Sequence, residues 1–153
     1  MAIALALTLH LIAAVIWVGG MFFAYVCLRP VAAQLFEPDN RLKLWSQVFT
    51  RFFLTVWVAI LVIVFSGHGM IALYGGFANI GTHIHLMLAT GYLMIALFAH
   101  LYFSPFKKLK AAVKNEIWPE AGKQLNKIRL IVAINLTLGM ITIIIGTGGK
   151  YLF

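Results

Sequence analysis

Acidic side chains are scarce in this chain: 4 of its 153 residues are Asp or Glu, and 10% of all residues are charged. The four acids are Glu37, Asp39, Glu116 and Glu120, all outside the long apolar runs. No carboxylate is therefore available inside an apolar run as a general base or proton relay, which argues against hydrolytic chemistry. There is a single cysteine, Cys27, so the chain can form neither an internal disulfide nor a CxxC metal or redox motif.

Apolar residues are the abundant class, at 63% of the chain with a mean hydropathy of +0.98. A soluble domain of this size does not bury that much apolar surface. We predict an all-α integral membrane protein with one domain, a bundle of four transmembrane helices. Runs of about 20 apolar residues, which cross a ~30 Å hydrocarbon core, occupy residues 2–28, 52–74, 80–103 and 130–150. The first positive charge is Arg29, so the first run is expected to remain as a span and not to be cleaved as a signal peptide.

Lysine and arginine are concentrated in residues 29–51 and 105–129, which we predict to be basic loops. Such segments stay in the cytoplasm. Both termini are then periplasmic, and the chain is expected to be a multi-pass protein of the bacterial inner (cytoplasmic) membrane. The net charge of +8 is explained by these two segments, so the lipid bilayer, and no nucleic acid, is the expected partner of the basic residues.

Small and polar residues recur at three- and four-residue steps on three of the predicted helices, the spacing along which membrane helices approach closely. The stripes are Ala6, His10, Ala13, Trp17, Gly20 and Ala24 on the first span, His85, Ala89, Tyr92, Ala96 and His100 on the third, and Asn135, Gly139, Thr142 and Gly146 on the fourth. We predict that all three stripes face the bundle interior.

Five histidines lie within or at the ends of the apolar runs, where an imidazole is costly unless it binds something. At ~1.5 Å per residue, His10 lies about 12 Å below the outer boundary and His85 on the order of 5 to 10 Å below it. We predict that these two rings face each other. His68 and His83 are expected near the same outer boundary, and His100 near the cytoplasmic one, too far away to share a ligand with His10.

One interpretation of the histidines is a haem b held between two helices, which needs two imidazoles at matched depth, a slot of small residues and a cation for the propionates. The candidates are His10 and His85 as ligands, Ala13, Trp17 and Gly20 along the slot, and Lys150 as the anchor. The protein would then be a membrane oxidoreductase that transfers electrons to or from a quinone or a periplasmic redox protein.

A second interpretation is a copper site, because thioethers suit Cu(I) and imidazole suits both oxidation states of copper. The candidate ligands at the outer boundary are His68, Met70, His83, His85 and Met87. His100 and Cys27 would form an inner exit, with Arg51 as a cationic anchor on the inner face. A periplasmic copper-carrying protein would be the partner. No continuous polar path joins the two ends within one chain, although a homodimer could supply one.

The third interpretation assigns no metal: the histidines are ordinary polar residues between helices or at the interface, and the chain is a structural membrane subunit.

The segments LHLIAAVIWVGGMFFAYVCLRP, GTHIHLMLATGYLMIALFAH and RLIVAINLTLGMITIIIGTGG together resemble small proteins of the copper resistance protein D (CopD) family. The match is most specific in the first segment, at His10, Trp17, Gly19, Gly20, Arg29 and Pro30. The resemblance implies an inner-membrane helix bundle linked to copper uptake or tolerance. A more distant likeness to the HemJ protoporphyrinogen oxidases, four-helix proteins that bind haem b, also falls on His10.

Overall fold

The computed structural model describes residues 1–151, and these are almost entirely helical with no strand among them. The α-helices are α1 (Ala2–Phe22), α2 (Arg29–Leu35), α3 (Pro38–Leu73), α4 (Thr82–Leu101), α5 (Lys107–Lys114) and α6 (Trp118–Gly148). A π-helical turn, Phe23–Leu28, joins α1 to α2, and a second, Tyr102–Phe106, joins α4 to α5. The predicted all-α class is confirmed.

Through the two π-helical turns the chain forms four long rods. Each is long and apolar enough to cross a membrane: Ala2–Leu35, Pro38–Leu73, Thr82–Lys114 and Trp118–Gly148. The four predicted spans are therefore present. Residues 29–51 and 105–129, predicted as the basic connections between the spans, are mostly helical and continue the spans.

Proline position explains why the basic segments are helical. Pro38 and Pro119 each lie in the first turn of a helix, where the missing N–H is not needed and the fixed φ favours helix formation. The short helix α5 buries Leu109 and Ala112 and packs against α6. The turn signals in the sequence thus mark helix starts, and the intervening breaks are only a few residues long.

In the bundle, α1 packs mainly on α3 and α4 mainly on α6, with further contacts from α6 to α1 and α3. The rods alternate in direction. The tight connection 74–81 marks one end of the bundle, called here the turn end, and residues 29–51 and 105–129 mark the other, the basic end. Gly75 and Gly76 have φ values of 89° and 95° at the turn end, a conformation that glycine adopts without steric cost.

Two of the three predicted packing stripes are confirmed. On the first rod, Ala13, Trp17 and Ala24 are buried and the other stripe positions are half-buried. On α6, Asn135 and Gly139 are buried. A Cβ atom at Gly139 would lie 2.9 Å from Val18 Cγ2 and 3.2 Å from Met94 Cε, so the small residue is what allows α1 and α4 side chains to reach α6.

The predicted stripe on α4 is wrong. All five of its residues, His85, Ala89, Tyr92, Ala96 and His100, are exposed. The buried residues of α4 are the large side chains Met94, Phe98 and Leu101. Because both faces of a membrane helix are apolar, the spacing of small residues does not by itself identify the packing face. Here the buried face of α4 carries Phe98, whose ring contacts Trp17 of α1 and Phe53 and Trp57 of α3.

The aromatic cluster, defined as Phe49, Phe53, Trp57, Phe98, Tyr102 and Phe106, fills the bundle between the turn end and the basic end. Phe53 lies at its centre, with ring centroids 4.9 Å from both Phe49 and Phe106 and 5.4 Å from Phe98. These stacked and edge-to-face contacts pack the core tightly. The open space of the bundle is left nearer to the turn end.

Candidate metal-binding cavity

A cavity of about 310 Å³ lies in the half of the bundle toward the turn end, lined by residues from α1, α3, α4 and α6. Its walls are largely aliphatic, but they carry two imidazoles and three thioethers. These are His10, His68, Met70, Met87 and Met94. Imidazole nitrogen and thioether sulfur are donors to soft transition metals, so the position of each side chain decides what the cavity can bind.

His10 enters the cavity from α1 and is held by α3. Its Nδ1 lies 3.0 Å from Ser66 Oγ, and that hydroxyl donates its one proton to the carbonyl of Val62. When that proton stays on the backbone carbonyl, Ser66 Oγ accepts from His10 Nδ1–H, and Nε2 is then the ring nitrogen with the free lone pair. The ring lies over Gly67, where a Cβ atom would be 3.3 Å from His10 Cε1.

His68 is arranged in the same way from α3. Its Nδ1–H donates to the carbonyl of Val64 at 2.9 Å, and its Nε2 accepts from the hydroxyl of Tyr92 at 3.1 Å. A histidine whose Nδ1–H is bound to a backbone carbonyl presents Nε2 as the ligand atom. Rotation of the exposed Tyr92 side chain would free that lone pair.

Two of the thioethers, those of Met87 and Met94, contact α6. Met87 Sδ lies against Gly146, where a Cβ atom would approach it to 2.9 Å. Met94 Sδ is 3.8 Å from the hydroxyl of Thr142, which also bonds to Thr90 at 2.8 Å. Small and hydroxyl-bearing positions on α6 thus leave room for the methionine sulfur atoms at the cavity wall.

The remaining histidines lie elsewhere. His85, predicted to face His10, is exposed, and its Nδ1–H donates to the carbonyl of Gly81 at 3.3 Å. His83 is half-buried with its Nδ1 unpartnered among the described residues. Neither lines the cavity. His100 and Arg51 are exposed toward the basic end. A site shared by His10 and His85 stays a prediction, and it requires His85 to leave its present position.

The three residues predicted to line a haem slot along α1 differ in their surroundings. Gly20 is covered by the ring of Phe52, and Ala13 is buried in the core. Trp17 does line the cavity, at 3% exposure, with its ring edge-on to Phe98 at 6.1 Å. The side chain of Lys150, predicted as the propionate anchor, lies outside the described part of the chain.

Sequence reasoning missed Ser66 and Met94. Ser66 directs His10 although it is far from it along the chain, and its only sequence signal is a hydroxyl beside Gly67 and His68 in an apolar span. From the sequence alone, Met94 is indistinguishable from an ordinary packing residue, because its neighbour α6 is not known. Within residues 1–151 no group of three or more His, Cys, Asp or Glu side chains is placed to hold a metal ion, so a metal in the cavity needs the thioethers as well.

Comparison with known proteins gives one family. A family model described as copper resistance protein D matches residues 46–148, more than half of the chain. No curated protein and no solved structure matches. The matched part runs from α3 into α6 and includes Ser66, His68 and the three cavity methionines, while His10 on α1 lies before it.

Proposed function

The chain belongs to the CopD (copper resistance protein D) family of membrane proteins, and from this we propose that it binds copper(I) as its substrate in the cavity. The observation that carries the proposal is the shared state of His10 and His68. Each has its Nδ1 hydrogen-bonded to α3, at Ser66 Oγ and at the Val64 carbonyl, and each lines the cavity together with methionine residues. Two imidazoles with thioethers are a ligand set for Cu(I).

The charge of the site favours Cu(I) over Cu(II). Among the described residues no carboxylate lines the cavity, so the ligands that these residues offer are neutral. A buried ion without an opposite charge costs free energy that rises steeply with its charge. A monovalent ion with soft neutral ligands therefore suits this cavity better than a divalent one.

Orientation follows from the positive charges. Lysine and arginine of the basic end belong in the cytoplasm, which turns both termini and the cavity toward the periplasm of a bacterial inner membrane. Copper would be delivered there by a periplasmic copper-carrying protein. The aromatic cluster separates the cavity from the basic end, so we propose binding in one chain. Passage across the membrane would need a rearrangement of the cluster or a second copy of the chain.

Haem b has less support than copper. A bis-imidazole haem requires His85 beside His10, but His85 is exposed and bonded to Gly81. The slot at Gly20 is filled by Phe52. Electron exchange with a quinone depends on that haem, so it has less support as well.

Titration with Cu(I) tests the proposal. The protein, purified in a nonionic detergent, is expected to compete for Cu(I) with a chromogenic copper(I) chelator. X-ray absorption of the copper-bound protein is expected to show both nitrogen and sulfur neighbours of the copper. Its optical spectrum is expected to lack a haem band. A haem spectrum in the purified protein, or copper bound by nitrogen and oxygen alone, would reject the cavity as the copper site.

Substitution of Ser66→Ala is expected to weaken Cu(I) binding by about tenfold, because loss of an outer-shell partner releases the His10 ring and its tautomer. The matched control is Ser46→Ala, on the same helix but outside the cavity lining, which should bind as the unsubstituted protein does. Chelator competition measures both affinities. Equal affinities for the two variants would show that Ser66 does not position the ligand.

A further inference from the structure

A second cavity, of about 20 Å³, lies at the basic end of the bundle and is lined by arginines. The polar residues in its wall are Arg29, Arg129, Trp45 and Tyr25. Tyr25 belongs to the π-helical turn Phe23–Leu28, an irregularity that recurs at functional sites. The volume suits about one atom of water size, so a single oxygen of a larger group would fit inside.

Two nitrogen donors at this cavity have no acceptor. Trp45 is 3% exposed and its Nε1–H is buried without a partner in residues 1–151. The Nε of Arg129 is likewise buried and unpartnered. Buried N–H groups are nearly always hydrogen-bonded in native proteins, so two orphaned donors beside one cavity indicate an acceptor that is not part of the protein.

The charged residues in the wall of this cavity, Arg29 and Arg129, are both positive. Arg29 and Arg41 both repel Arg129 electrostatically, and no carboxylate of the described residues lines the wall. Arg29 lies with its guanidinium 4.9 Å from the Tyr25 ring centroid. Arg129 Nη1 donates to Asn126 at 3.2 Å, which leaves other guanidinium donors for a ligand. Converging arginines without an acid are suited to an anion.

The depth of the cavity identifies the environment of that anion. Arg29 lies about 40 Å along the first rod from Ala2 at ~1.5 Å per residue, beyond the ~30 Å hydrocarbon core. Trp45, 28 residues before the end of α3 at Leu73, is at a similar level of the bundle. This is where phospholipid headgroups lie.

We propose that this cavity binds the phosphate group of an anionic phospholipid. One phosphate oxygen would accept from Trp45 Nε1 and Arg129 Nε, and the remaining oxygens would face Arg29. Guanidinium forks bind phosphate oxygens in pairs. The site is separate from the copper cavity and does not depend on the function proposed for it.

Lipid retention tests this site. Protein purified in a nonionic detergent is mixed with phosphatidylglycerol, or with a glucosyl diacylglycerol of the same acyl chains and no phosphate, and retained lipid is counted by native mass spectrometry. We expect preferential retention of phosphatidylglycerol. Arg129→Gln and Trp45→Phe should each reduce that retention by about tenfold, the usual effect of losing a charge-assisted hydrogen bond.

Lys127→Gln is the matched control, because Lys127 is exposed on the same helix and lies outside the cavity lining. It removes the same charge as Arg129→Gln and should retain phosphatidylglycerol. Trp45→Phe keeps an aromatic ring and removes the N–H. If Arg129→Gln does not fold, the lipid retention of Trp45→Phe tests the proposal by itself.

Equal retention of both lipids, or equal losses in Lys127→Gln and Arg129→Gln, would overturn the proposal. Inorganic phosphate is the remaining arm of the experiment. If it displaces phosphatidylglycerol and the Trp45→Phe protein loses phosphate binding, free phosphate, and not a lipid headgroup, is the ligand.

Discussion

His10→Ala is expected to weaken Cu(I) binding by about a hundredfold or more, the largest effect of any single change in the cavity. Removing an outer-shell partner of a metal ligand already costs about 10- to 100-fold, and this substitution removes a ligand itself. His10 is also the one imidazole that α1 contributes to the cavity among the described residues. Chelator competition against the unsubstituted protein measures the loss, and thermal unfolding in the same detergent reports whether the variant is folded.

His85→Ala is the matched control for this result. His85 lies toward the same end of the bundle but is exposed, bonded to Gly81 and outside the cavity lining. The His85→Ala variant should bind Cu(I) with an affinity within about twofold of that of the unsubstituted protein. Comparable losses in the His10 and His85 variants would favour the paired site predicted from the sequence and reject the cavity as described. The pair of variants therefore decides between the two arrangements.

The spans and the inward face of α1 could be predicted because they depend on local sequence. Four apolar runs of sufficient length leave few alternatives, and His10 shares its stripe with Ala13 and Trp17, which are buried. The same reasoning failed on α4. Small residues at regular spacing also occur where a helix faces lipid, and the true packing face, with Met94 and Phe98, has no pattern that separates it from a lipid-facing one.

The partners of His10 could not be predicted from the sequence. They depend on which helix lies beside α1, and the sequence does not state that α3 is its main neighbour. Once this is known, Ser66 is an expected partner, since a hydroxyl within an apolar span bonds across helices or to its own backbone. The polar contacts of the site are thus a property of the packing, whereas the ligand types are visible in the sequence.

Phe53→Ala is expected to lower the free energy of unfolding by about 3 to 5 kcal/mol, the range measured for truncation of a large buried aromatic residue. Phe53 is 2% exposed and its ring contacts α4 through Phe98 and the following π-helical turn through Phe106. Between helices in lipid, stability comes from packing and not from the release of water. A void at the centre of the aromatic cluster removes dispersion contacts from several rings together.

Phe65→Ala separates this effect from the general cost of losing a phenyl ring in a membrane. Phe65 is on α3, like Phe53, but is 74% exposed, so its ring meets lipid and lipid chains fill the space when it is removed. We expect a loss below about 1 kcal/mol there, as for an exposed position away from packed features. Unfolding of both variants by sodium dodecyl sulfate in mixed micelles measures the difference. If Phe53→Ala and Phe65→Ala destabilise the protein equally, interdigitation of the rings between α3 and α4 does not hold the bundle together. The separation of the copper cavity from the basic end then loses its structural basis.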